Sequence, residues 1–263
     1  MKRNKGAIRL QIFLAVSPAE AQAASGYHRP LAHAAYRIGN DSSLLRRNLP
    51  LQAHGGLLCI SDRHAPPITN PTTLCQGVLR ECHRRSYQGV LLDFEETPGP
   101  DRIAFISQLE HLLLGQRKTL YLPEYCMDAA PKSIGLICTA LSGGTFEQRL
   151  RDAIAHRGSA SRLALDVQRL CMDFTLPCKS GEGSPLSREQ FKALVQQERP
   201  SFFFSPELCT RYFTYTKDNA AHFVLFDDAE TLRQKLNRGT GLGFSAAFFM
   251  WPEIQDLAHS LFR

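Results

Sequence analysis

Short apolar runs alternate along the chain with stretches in which apolar residues recur at helical spacing. Val90-Leu91-Leu92 is an unbroken apolar run without a helical period, and it predicts a strand buried on both faces, as in a parallel sheet. Gly56 to Ile60, Thr119 to Leu122, Ile134 to Leu141, Val224 to Phe226 and Phe244 to Trp251 read the same way. Ile8 to Val16 and Leu163 to Val167 add two segments in which apolar positions alternate, a strand period. Between them, Asn70-Pro71-Thr72 predicts a helix start, with Leu74, Val78, Leu79 and Cys82 on its inner face. Ile103, Phe105, Ile106, Leu109, Leu112 and Leu113 mark a second helix, and Thr145 caps a third carrying Phe146, Leu150 and Ile154. Further helices are expected over Ser187 to Gln197, Ala229 to Asn237 and Pro252 to Phe262. Leu31 to Ile38 reads as helical, and Asn40-Asp41-Ser42 as a turn. Phe202-Phe203-Phe204 and Tyr212 to Thr216 suggest a small β excursion, an insertion at about 178–222. Strand and helix alternate with no strand-only block, so the fold class is α/β: one (β/α)8 TIM-type barrel over 1–263, irregular in its N-terminal part.

The most informative segment is Val90 to Glu96. It ends in Asp93, Glu95 and Glu96, and Pro98 and Pro100 stop the strand. Alternation puts Asp93 and Glu95 on one face. Two carboxylates ending a buried strand repel each other and lose hydration, so at least one pKa should rise, which is how a protein keeps a carboxylic acid as a proton donor near neutrality. The plainer reading is an acidic loop paired with arginines.

Composition narrows the classes. The chain has 263 residues, 43% of them hydrophobic, and a formal net charge of +6. Its arginine pairs are dispersed and no basic run is interleaved with aromatics, so nucleic-acid binding is not expected, whereas an anionic wall polymer would be attracted. The eight cysteines form no CxxC and no Cys/His metal spacing, so neither a metal nor another cofactor is expected. Met1-Lys2-Arg3-Asn4-Lys5 and the following apolar run only faintly mimic a secretory signal, because Arg9 and Gln11 break the run. The expected location is cytoplasmic or spore- or cell-wall-associated, with no membrane span.

The acidic strand and the C-terminal third together resemble the family 18 glycoside hydrolases, chitinase-like (β/α)8 barrels, and in particular their spore-cortex and peptidoglycan N-acetylglucosaminidase branch. The family's fourth strand carries D-G-x-D-x-D-x-E; Gln88 to Glu95 keeps its Gly, last Asp and Glu. A second block, His222 to Leu236 followed by Gly241-Leu242-Gly243 and a strand ending in Trp251, is similar to the family's last barrel turn. The resemblance implies retaining hydrolysis of β-linked N-acetylglucosamine glycan without an enzyme nucleophile, an exception to the two-carboxylate scheme. Glu95 would then be the acid and base, Asp93 would orient the sugar's 2-acetamido group, and Trp251 would floor the subsite. Tyr125, Glu124 and Asp62, each at a strand end, are further substrate-binding candidates.

Departures from the pattern accompany the match. Leu91 stands where the family has an Asp that shares the proton with Asp93, and Ile137 to Leu141 offers neither the Tyr nor the Asp usual on the sixth strand. An altered glycosidase is one reading; a catalytically idle glycan- or protein-binding barrel is the alternative. A third is a barrel enzyme using Asp62, Glu95 and Glu124 with a divalent metal.

Overall fold

The apolar runs pair in parallel and close on themselves. The computed structural model describes residues 10–47, 54–178 and 181–262. Eight parallel strands form the barrel: β1 (Gln11–Val16), β2 (Leu31–Ile38), β4 (Leu57–Ser61), β5 (Gly89–Asp93), β6 (Thr119–Pro123), β7 (Ile134–Cys138), β8 (Leu163–Asp166) and β14 (Ala246–Met250). Closure comes from β1, which pairs with β14 on one side and β2 on the other. One extra strand, β3 (Leu44–Arg46), pairs antiparallel with β2 outside the ring.

Helices cover the barrel where the sequence period demands it. They are α1 (Ala21–Ser25), α2 (Pro71–Arg84), α3 (Pro100–Gly115), α4 (Phe146–Arg157) and α6 (Ala229–Leu242), closed by α7 (Trp251–Ile254) and α8 (Ala258–Phe262). Asn70 caps α2 by accepting the Thr73 N–H at 3.1 Å, with Pro71 at the first position. Asp228 caps α6 in a reciprocal box with Thr231.

Two apolar layers follow from strand alternation. Outward residues such as Leu58, Val90, Leu92, Leu120 and Ile137 pack on the helices. Inward ones plug the barrel: Phe13 stacks on Phe248 at 4.9 Å, and Tyr121 meets Phe248 edge-on at 5.0 Å. Gly89 starts β5 because a Cβ there would stand 2.2 Å from the Thr119 carbonyl oxygen.

One expectation about the barrel is corrected. Leu31 to Ile38 is a barrel strand, not a helix: its alanines favour helix locally, but the segment is flanked by β1 and β4, and pairing on both sides overrides propensity. The described residues between β2 and β4 hold β3 and no helix, which makes this the irregular crossover. The expected first strand is present as Gln11–Val16; its expected start at Ile8, and the basic leader, lie outside the described residues.

The β excursion is larger than its sequence signal. Strands β9 (Cys171–Leu176), β10 (Ser184–Pro185), β11 (Phe203–Ser205), β12 (Thr210–Lys217) and β13 (Ala220–Phe226) form a separate antiparallel sheet, with α5 (Arg188–Glu198) on one face. Val224 to Phe226 therefore belongs to this sheet and not to the barrel. Buried Asp227 ties the sheet down. It accepts from Lys235 Nζ at 2.7 Å, Thr231 at 2.8 Å, Leu170 N–H at 3.0 Å and Thr210 at 3.1 Å.

Candidate functional site

At the carboxyl ends of the barrel strands lies a cleft of about 380 Å³. Asp93, Glu95, Tyr125, Cys138, Asp166 and Met250 line it, and Leu91, Leu136 and Phe248 of the barrel plug contribute to its wall. A second hollow of about 660 Å³ shares Asp93, Glu95 and Met250 and continues over the ends of β2 and β4, past Arg37, Ser61 and Arg63. The two make one groove with Asp93 and Glu95 at their junction. Its size is that of a small-molecule or short-oligomer binding cleft.

Strand alternation puts Asp93 and Glu95 in the groove, while Phe94 between them packs outward against Phe105 at 6.5 Å. Burial above all, then the negative fields of Glu95 and Asp62, holds the Asp93 carboxyl above the ordinary carboxylate range. Glu95 is set differently. Its side chain is 54% exposed, with Arg63 Nε 3.9 Å from Oε1 across open solvent. Such a long, exposed pair contributes about 1 kcal/mol or less. The enclosure that the sequence suggested for this strand end thus surrounds Asp93, and Glu95 stands at an open rim.

Asp62 does not line either hollow. Its Oδ1 accepts the Glu95 backbone N–H at 3.0 Å and its Oδ2 takes Arg102 Nε at 3.2 Å, so this carboxylate braces the acidic loop from the neighbouring strand end. Arg102 is held in turn by Asp101 at 3.1 Å.

Glu124 lines the cleft but is gripped by both terminal nitrogens of Arg149, one at 2.9 Å from Oε1. The Tyr125 hydroxyl donates to the Phe94 carbonyl, and the ring, 46% exposed, forms one wall. Burial, chiefly, pushes the phenol up to about 12.

Trp251 is not the floor. It is 4% exposed, packs its ring 5.4 Å from Tyr27 and belongs to the layer between barrel and helices. The reason is strand parity: Phe248 and Met250 point into the barrel mouth, so the next residue turns outward.

One cleft carboxylate escaped the sequence reading. Asp166 ends β8 and faces inward beside Cys138, its register partner on β7. Gln168 donates to its Oδ2 at 2.7 Å. Burial raises its pKa to about 6 despite that hydrogen bond, with the negative fields of Glu253 and Asp93 adding to the rise. The signal was present: if Leu163, Leu165 and Val167 face the helices, Ala164 and Asp166 must face the barrel interior.

Among the described residues, no group of three His, Cys, Asp or Glu side chains is placed to hold a metal ion. Asp62 and Glu124, proposed with Glu95 for such a site, are each engaged by an arginine.

No protein-family model and no curated protein matches the sequence. The fold has clear relatives among solved structures. The spore cortex-lytic enzyme SleL of Bacillus megaterium superposes with a TM-score of 0.69 at 15% identity, over 98% of this chain and 76% of that one. A chitinase of Chromobacterium violaceum gives 0.72 at 14% identity, over 96% and 98% of the two chains. The class V chitinase of Nicotiana tobaccum gives 0.69 at 10% identity, over 96% and 99%. The architecture is that of the chitinase-like TIM barrels.

Proposed function

We propose that this chain is a glycoside hydrolase-like protein whose groove takes β-linked N-acetylglucosamine-containing glycan, of peptidoglycan, spore cortex or chitin type, and cleaves it by substrate-assisted retention. The observation that carries this reading is the junction: Asp93 and Glu95 end the fourth barrel strand where two hollows meet, so a glycan lying through both crosses them. Chitinases and cortex-lytic enzymes share the fold, and one such relative is described in complex with a tetramer of N-acetylglucosamine.

In this mechanism Glu95 gives its proton to the glycosidic oxygen as the bond to C1 breaks. The carbonyl oxygen of the sugar's own acetamido group closes on C1 from the other face, forming an oxazolinium ring. Asp93, aimed into the same cleft, accepts the acetamido N–H and offsets the developing positive charge. The Glu95 carboxylate then takes a proton from water, which opens the ring with retained configuration. Asp62 keeps the Glu95 backbone in place through this cycle.

Leu91 and Cys138 favour a second reading, an idle glycan- or protein-binding barrel, because both put groups of little catalytic use in the cleft wall beside Asp93. One experiment separates the two. Wild type and Glu95→Gln are incubated with chitotetraose and with peptidoglycan strands, and products are identified by mass spectrometry. Hydrolysis by wild type and not by the variant supports the enzyme; saturable binding with no product from either supports the idle barrel. No binding and no product removes the glycan reading.

A further inference from the structure

A sugar amide entering this cleft meets an unusual shortage of donors. The Tyr125 hydroxyl is committed to the Phe94 carbonyl, and the Gln168 amide donates to Asp166. Cys138 is a weak donor, its thiol kept neutral by burial. Phe248 and Met250, from β14, are apolar.

Four carboxyls line this space; Glu124 is gripped by Arg149 and Glu95 serves the glycosidic oxygen, which leaves Asp93 from β5 and Asp166 from β8 for the amide. Gln168 holds only Oδ2 of Asp166, and Oδ1 has no partner among the described residues. An amide presents one N–H and one carbonyl oxygen, and a carboxylate beside a carboxylic acid is complementary to both. We propose that Asp166 is a second substrate-contacting residue of this cleft, donating its carboxyl O–H to the acetamido carbonyl oxygen while the Asp93 carboxylate accepts the acetamido N–H. This rests on the glycan reading of the groove and adds to it the residue that selects an N-acetylated sugar.

The protonation that this role needs follows from the surroundings. Asp166 is the more enclosed acid, and its pKa of about 6 reflects burial first, then the fields of Glu253 and Asp93. The other titratable groups lining the cleft are Cys138 on β7 and Tyr125 beyond β6, both neutral near pH 6 because burial raises each of them, Glu124, paired with Arg149, and Glu95, which the test below replaces by glutamine. Below pH 6 the donor is present; above it Asp166 ionises and the amide carbonyl loses its partner.

The test is calorimetric binding of the β-1,4-linked N-acetylglucosamine tetramer against the glucose tetramer of the same linkage, which lacks the amide. It is run in the Glu95→Gln background across a pH series. The expected result is a preference for the N-acetylated tetramer of ~10-fold or more in acid, declining as pH rises through the Asp166 titration. Asp166→Asn, which keeps a donor at every pH, retains the preference and flattens its pH dependence. Asp166→Ala abolishes it. If Asp166→Ala keeps both the preference and its pH dependence, the assignment of Asp166 is overturned while the glycan reading stands. If the parent binds neither tetramer, the glycan reading falls and takes this inference with it.

Discussion

Replacing Asp62 by alanine probes how the acidic loop is held. Asp62 is almost fully enclosed, its side chain 6% exposed, and each oxygen has one charged or backbone partner: the Glu95 N–H at 3.0 Å and Arg102 Nε at 3.2 Å. Losing an N–H bond to an ionised acceptor costs about 1.5–3 kcal/mol. Stripping a buried ion of its partner costs about 3–5 kcal/mol, but Arg102 keeps Asp101 at 3.1 Å, so this part falls toward the low end or below it. The two effects share one side chain and are not additive; their combined expectation is about 3 kcal/mol, a fall in Tm on the order of 10 °C for a chain this size. Asp62→Asn keeps an acceptor for Glu95 and should lose about half as much. Calorimetry and urea titration give the stability change. Turnover of chitotetraose gives the functional one: a Glu95 displaced by an ångström lowers kcat by about 10²-fold with little change in KM. An Asp62→Ala protein with wild-type Tm and wild-type kcat would refute the brace.

Other consequences follow from the same geometry. Lys235→Met leaves the Asp227 carboxylate buried without its cation, both side chains being fully enclosed, and should cost about 3–5 kcal/mol by denaturant titration. Trp251→Ala should destabilise by about 3–5 kcal/mol through the cavity left beside Tyr27, yet leave oligosaccharide affinity unchanged in calorimetry. Asp166 holds its proton to about pH 6 when folded, against about 4 unfolded, so the native state binds more protons between those values and stability falls as pH rises across that window. The loss is on the order of 3 kcal/mol, and a pH series of unfolding midpoints on Asp166→Asn should lack it.

The barrel was legible because each strand is buried on two faces and each helix on one, so their periods differ even without a partner in view. Pairing context was not legible. Leu31 to Ile38 carries alanines that suit a helix, and only its neighbours β1 and β4 make it a strand. The insertion sheet, 171–226 against an expected 178–222, was under-read because both of its faces pack in apolar clusters, which blurs the alternation of a half-exposed sheet, and Val224 to Phe226 has the composition of a barrel strand. At the site, the pairing of Asp93 with Glu95 could be inferred from alternation alone. Exposure could not: nothing local distinguishes a rim glutamate from an enclosed one, and Asp62 reads as a cleft acid until Arg102 and the Glu95 N–H are seen on it. Trp251 and Asp166 are both parity questions, one residue on the wrong side of a strand end and one unnoticed on the right side.

In the proposed mechanism the substrate's acetamido group, aided by Asp93 and Glu95, performs the displacement. This step is tested most directly by following the anomeric proton of freshly released sugar by NMR during hydrolysis of chitotetraose by wild type, with Glu95→Gln as control. Displacement by the acetamido group gives initial release of the β anomer and a fall of about 10²–10⁴-fold in the variant. Initial release of the α anomer, or equal rates from the two proteins, would contradict it.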